Sequence, residues 1–202
     1  MQDIDKRASY AKTFDLVPAL ETTIRDLDTE SFRSRYLSVA IDPDTLAENG
    51  RSLEEQLASL RFYDAKAYCP THAGILLFGK NPEFVLPGAY IQYIKFSGNS
   101  MLTDVTYEKK FTGPLIHELR ILDDFIKGNI IKERPVRKES FQEDTIRNYS
   151  YWALRELILN SVMHRNYESN APIYIYEFSD HIEIINLGGV WRSDPSKLPQ
   201  CQ

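Results

Sequence analysis

The run YSYWALRELILNSVMHR, Tyr149 to Arg165, is apolar almost all round when wound as a helix. Trp152, Ala153, Leu154, Leu157, Ile158, Leu159, Val162 and Met163 leave little of its circumference for water, and such a helix is packed on most of its sides. Against that background Glu156, Asn160 and His164 stand at i, i+4 and i+8, which places them on one face. A carboxylate, an amide and an imidazole in line suit a metal-bound polyphosphate and the activation of a water. The same stripe also reads as the wet face of a core helix. His164 is favoured beside a helix C-terminus in either case.

The helix is followed by strand signals. SNAPIYIYEF predicts a strand at Ile173 to Phe178, Ser179-Asp180 a tight turn, and HIEIIN a return strand from His181 to Asn186. Upstream, Asp28 caps a predicted helix over Thr29 to Val39, with Phe32, Tyr36 and Leu37 on its apolar side. Asp42 to Gly50 is rich in turn residues. Ser52 and Glu55 form a capping box for the next helix. Thr71 caps a short helix that Gly79 and Pro82 end. Ala89 to Phe96 and Thr103 to Phe111 predict strands. Gly113-Pro114 opens a helix in which Leu115, Leu119, Leu122 and Ile126 keep the helical period, and Ile130 to Phe141 reads as extended.

These signals organise the chain as α+β. Residues 1–27 read as a linker or the tail of an upstream domain, 28–141 as a mixed helix and sheet region, and 142–202 as a second piece, with the boundary near 141–148. The second piece is short of strands, so its hairpin is expected to pair either with the first region or with another copy of the chain, since open strand edges invite pairing.

Hydrophobic residues are 43% and charged residues 26% of the 202, the range of globular domains. No apolar run approaches a membrane span, and the opening MQDIDKRASY has no signal-peptide core, so a cytoplasmic protein without membrane contact is expected. Cys69 and Cys201 lack metal-site spacing. The net charge of -5 does not suit a dedicated nucleic-acid module, and the basic run Arg134 to Lys138 reads as a solvated edge. FGKNP, Phe78 to Pro82, lacks the glycine-rich lead and the Ser/Thr of a Walker phosphate loop, so a helicase motor is not expected.

Glu156-x-x-x-Asn160 on a helix, then two strands, then Asn186-Leu187-Gly188-Gly189, is an order that resembles the ATPase fold of gyrase B, MutL and the histidine kinases. More specifically, ALRELILNSVMHRNY with IEIINLGG resembles the signature of RecG-related regulators, also labelled ATP-dependent DNA helicase-related. THAGILLFGKNP and FDLVPALETTIRDLD resemble that family's upstream segments. The resemblance covers residues 13–192 and implies a region lying between a Schlafen-AlbA-type domain and a winged helix, with residues 142–202 forming a partial Bergerat-type ATPase domain.

The resemblance implies roles. Glu156 orients the attacking water if hydrolysis occurs. Asn160 ligates magnesium through bound nucleotide. His164 lies beside the phosphates, and Asn186, Gly188 and Gly189 lie at the adenine. Asn186 stands where the superfamily has an acidic residue, so its amide oxygen must accept the adenine N–H while its NH2 finds another partner. Leu187 and Asn166 also depart from the family signature. The lid and second glycine box would lie beyond Gln202, so no nucleotide and no ATP turnover are expected of this chain alone, with ATP and magnesium implied for a full-length protein. DNA would be contacted through other domains. The alternative is a structural or dimerisation module that keeps the fold without nucleotide chemistry. Under the nucleotide reading, the Glu156, Asn160 and His164 face looks into a groove bordered by the segment after Asn186, while Trp152, Leu157, Ile158 and Val162 are buried.

Overall fold

Capping chemistry sets the helices of the N-terminal part. Asp28 Oδ1 accepts from Ser31 N and starts α1 (Thr29–Ser31), which runs through a π-helical stretch, Phe32–Leu37, into α2 (Ser38–Ala40). The segment expected as a turn holds a short helix, α3 (Pro43–Glu48). Its start signal was Asp42-Pro43: Asp42 accepts from the amides of Asp44 and Thr45, and proline fits the first helical position. α4 (Leu53–Ser59) carries the complete Ser52/Glu55 capping box, and α5 (His72–Phe78) has Thr71 as its cap. Short bridging strands β1 (Tyr63–Asp64) and β2 (Cys69–Pro70) lie between these helices. Phe32, Tyr36, Phe62 and Phe78 meet mostly edge to face at 5.2–6.3 Å and form the centre of this unit.

The structure is a computed structural model that describes residues 13–48, 50–137 and 143–188. It divides into two compact units, one ending at Asn81 and the other starting at Pro82. The sequence placed a boundary near 141–148 instead. No division falls there because strands from both sides of that point belong to one sheet.

That sheet has the order β4 (Val105–Thr112), β3 (Tyr90–Phe96), β7 (Ile173–Glu177), β8 (Ile182–Ile185). β3 pairs antiparallel with β4, parallel with β7 from Ile91↔Ile173 to Lys95↔Glu177, and β7 antiparallel with β8. Of the two pairings expected for the hairpin, the one with the preceding region is formed. The crossover from β3 to β7 contains α6 (Leu115–Phe125) with its π-helical extension Ile126–Ile130, the paired strands β5 (Glu133–Arg137) and β6 (Glu143–Arg147), and α7 (Tyr151–Met163). β6 carries no strong alternation in its sequence, EDTIR, so no local signal marks it as a strand.

Ile91 and Tyr93 of β3 and Ile173 and Ile175 of β7 point to one sheet face, as a period of two requires. Leu122, Phe125, Ile126 and Ile130 pack on them from α6 and its extension, and Leu154, Ile158 and Val162 from α7. The result is a two-layer α+β unit. α7 therefore buries one stripe and not most of its circumference. Trp152 is 70% exposed and Leu157 55% exposed, against the expectation that both are buried. Ile158 and Val162 are buried as expected.

α6 and α7 are also tied by the Tyr151 hydroxyl, which donates to Asp123 Oδ1 at 2.6 Å, and Lys127 Nζ bonds Asp123 Oδ2 at 2.5 Å. Burial pulls the Asp123 carboxyl upward, but these hydrogen bonds together outweigh it and hold the pKa below the ordinary aspartate value.

The packing yields a contrast that urea unfolding can read. Ile158→Ala should lose about 2–5 kcal/mol, whereas Leu157→Ala should stay within about 0.5 kcal/mol. Because the folded pKa of Asp123 is depressed, its stabilisation is present above the unfolded value of about 4 and is lost as pH falls through the folded one. The stability gap between the wild type and Asp123→Asn should accordingly shrink in melts taken at successively lower pH. A gap that stays constant through the acid limb would refute the pairing.

Candidate functional site

Burial of one stripe fixes where the polar residues of α7 go. Leu154, Ile158, Ser161 and Val162 are the buried positions of the helix. Glu156 and Asn160 lie on the opposite side and are exposed. Asn160 Nδ2 donates to Glu156 Oε1 at 3.3 Å, the contact expected of an i, i+4 pair. His164 is the C-cap residue, also exposed, and its amide closes on the Asn160 carbonyl at 2.9 Å.

β8 brings the glycine-bearing segment to the last turn of this helix. Asn186 Nδ2 donates to the Ser161 carbonyl at 3.3 Å. The Asn166 amide donates to the Leu187 carbonyl at 2.6 Å. Gly188 lies so close that a Cβ there would stand 2.6 Å from the His164 carbonyl oxygen. Only glycine permits that approach. Glu156 and Asn160 thus share a helix whose C-terminal end is touched by Asn186 and Gly188, with Leu187 meeting Asn166 just beyond it. Gly189 lies outside the described residues.

The chemistry available here is that of hard oxygen atoms. With Asn160 Nδ2 engaged by Glu156, Oδ1 is the atom Asn160 can offer a cation, and magnesium prefers such ligands. The second partner that the Asn186 amide group requires is the Ser161 carbonyl, which leaves Asn186 Oδ1 as its acceptor. Among the described residues no group of three or more His, Cys, Asp or Glu side chains could hold a metal ion by itself. A magnesium at Asn160 would have to arrive with most of its ligands supplied by phosphate and water.

Two polar assemblies carry no signal in the sequence. Arg165 is buried at the turn after α7. Its Nε and Nη2 donate to the Ala171 carbonyl at 3.2 and 2.6 Å, and Nη2 donates to the Ser169 carbonyl at 2.9 Å. The guanidinium lies 4.6 Å from the Tyr167 ring centroid, and the Tyr167 hydroxyl donates to the Val162 carbonyl at 2.9 Å. Burial pulls the Arg165 pKa down from its usual value. A Cβ at Gly88 would meet Arg165 Nη2 at 2.1 Å, so that glycine makes room for the guanidinium. Arg165 therefore braces the loop between α7 and β7. An arginine and a tyrosine in a short loop form too common a pattern to have revealed this.

The second assembly centres on Glu177, buried at the end of β7. It accepts from the Tyr93 hydroxyl and pairs with Lys95 Nζ at 2.6 Å. Burial, reinforced by the Glu177 carboxylate, drives the Tyr93 pKa well above the ordinary tyrosine value. The cross-strand register Lys95↔Glu177 creates this network, and no local sequence pattern carries it.

Comparison with protein-family models returns no match, and neither does comparison with curated proteins. Among solved structures, the chain is similar to the DIP2311 protein from Corynebacterium diphtheriae, at 17% identity and a TM-score of 0.60. The similarity covers 90% of this chain and 35% of that one, so this chain spans about a third of its structural neighbour. The two share a fold.

The Arg165 brace predicts a non-conservative response to a conservative change. Lysine cannot serve two carbonyls in the fixed planar geometry of a guanidinium. Arg165→Lys should therefore lose about 2–4 kcal/mol in chemical denaturation, from hydrogen bonds to a charged donor at about 1.5–3 kcal/mol each with partial compensation. A loss below about 0.5 kcal/mol would show that the loop is held by other contacts.

Proposed function

We propose that this chain is the nucleotide-sensing part of a cytoplasmic, DNA-associated transcriptional regulator of the RecG-related type. The observation that supports it is the Glu156–Asn160 pair, hydrogen-bonded, exposed and carried by the helix whose C-terminal end touches Asn186 and Gly188. In this reading the chain carries a partial Bergerat-type site, and the ligand of the full-length protein is ATP with magnesium. ATP supplies the polyphosphate and the purine, and magnesium the charge that neutralises the phosphates. Asn160 Oδ1 offers the protein ligand to that magnesium. Glu156, held by the Asn160 amide, orients a water. Asn186 Oδ1 accepts from the adenine amino group, and Gly188 lets the backbone pass close to the ligand. His164 stands one turn beyond Asn160 at the phosphate end. DNA contact is assigned to other modules of a longer protein, in keeping with a net charge of -5.

A second reading, a structural or dimerisation module without nucleotide chemistry, is favoured by two observations. Asn186 replaces the acidic residue of nucleotide-binding relatives and already bonds Ser161. α7 also exposes Trp152 and Met163.

Thermal melting of the full-length protein with and without ATP and magnesium separates the two. A ligand present at ~100 times its dissociation constant stabilises the folded protein by ~2.7 kcal/mol. That shift should appear with the wild type and vanish in Asn160→Ala, whose exposed position leaves the unliganded melt unchanged. The absence of any shift at saturating ATP and magnesium would discard the nucleotide reading and leave the structural one.

A further inference from the structure

On its α6 side, α7 encloses a groove of about 400 Å3 whose floor is Leu122, Ile126 and Ile158, all buried. Arg120, Asp124 and Arg155 stand along its rim. We propose that this groove is the contact face between two copies of the chain, with the α7 stripe of each copy seated in the other's α6–α7 groove.

Beside this groove α7 carries an apolar stripe with nothing to cover it among the described residues. Trp152 is 70% exposed and Met163 73% exposed, and Leu159, which lines the groove, lies between them on the same flank. Positions i, i+7 and i+11 repeat as the contact seam of one helix against another. Trp152 is held beside the groove by neighbours on both sides. Its ring meets the Tyr151 ring at 5.1 Å, and the Arg155 guanidinium lies 5.9 Å from its centroid. A large aromatic side chain fixed at the edge of an apolar groove is the kind of anchor that dominates protein interfaces.

Charge selects the occupant. Arg120 and Asp124 are one turn apart on α6, the spacing at which such residues commonly pair. Neither side chain makes an ion pair or hydrogen bond among the described residues. Two opposite charges left open on one rim are self-complementary under a two-fold axis: Arg120 meets the partner's Asp124, and Asp124 meets the partner's Arg120. An isologous contact of this kind closes as a dimer and leaves no exposed copy of the face. Glu156, four residues after Trp152 and seven before Met163, shares this flank, so pairing and nucleotide binding there compete and pairing is read without nucleotide.

Sedimentation of the 202-residue chain from low to high micromolar concentration, without nucleotide, tests it. A monomer–dimer equilibrium is expected. Trp152→Ala removes one anchor from each copy and should weaken the dimer at least about 100-fold. Arg120→Asp and Asp124→Arg should each weaken it about tenfold by placing like charges opposite one another. The double reversal Arg120→Asp/Asp124→Arg restores complementarity and should return the wild-type dissociation constant, and thermal melts of the single reversals that match the wild type show that they fold. A wild type that stays monomeric overturns the proposal. So does a dimer indifferent to Trp152→Ala, or a double reversal no tighter than the single ones.

Discussion

Parallel pairing between Tyr90–Phe96 and Ile173–Glu177 is the constraint on which the second unit depends. It joins segments separated by the whole crossover, and a parallel pair cannot form without a long connection. Here the connection supplies α6 and α7, and both are laid on the sheet face that carries Ile91, Tyr93, Ile173 and Ile175. The buried Glu177 belongs to the same register. Its partners Tyr93 and Lys95 sit on the neighbouring strand, and the carboxylate is acceptable in that interior because both bond it.

The geometry of the candidate site follows from this layering. A helix laid on a sheet buries one stripe and must present the opposite one outward. Glu156 and Asn160 are exposed because Leu154, Ile158 and Val162 are not. β8, the edge strand beside β7, then carries Asn186 to the end of the same helix. The Arg165 brace sets the path of the loop that makes this return possible. The residues that could meet a ligand are few, and those that hold them in place outnumber them.

The same layering accounts for the surplus of apolar surface on α7. Its sequence is apolar on more sides than one sheet can cover, so Trp152, Leu157 and Met163 remain exposed after the second unit has formed its core. Under the proposed pairing, Trp152 and Met163 are the residues that a second copy covers. Glu156 lies on the same flank of the helix as Trp152 and Met163, so the proposed nucleotide site and the proposed pairing seam share part of one face.

Most of the local structure was determined by the sequence alone. The caps at Asp28, Ser52 and Thr71, the alternation in Tyr90–Phe96 and Ile173–Glu177, and the helical period after Pro114 each act within a few residues, and each element formed where these signals place it. The common exposure of Glu156 and Asn160 follows from helical spacing once the buried stripe is known. Tertiary structure decided the rest. The division of the chain at Asn81/Pro82, the exposure of Trp152 and Leu157, the burial of Arg165 and Glu177, and the approach of Gly188 to His164 all depend on which distant segments meet. Hydrophobic periodicity states that a helix has an apolar side. It does not state how much of that side a neighbouring sheet is wide enough to cover.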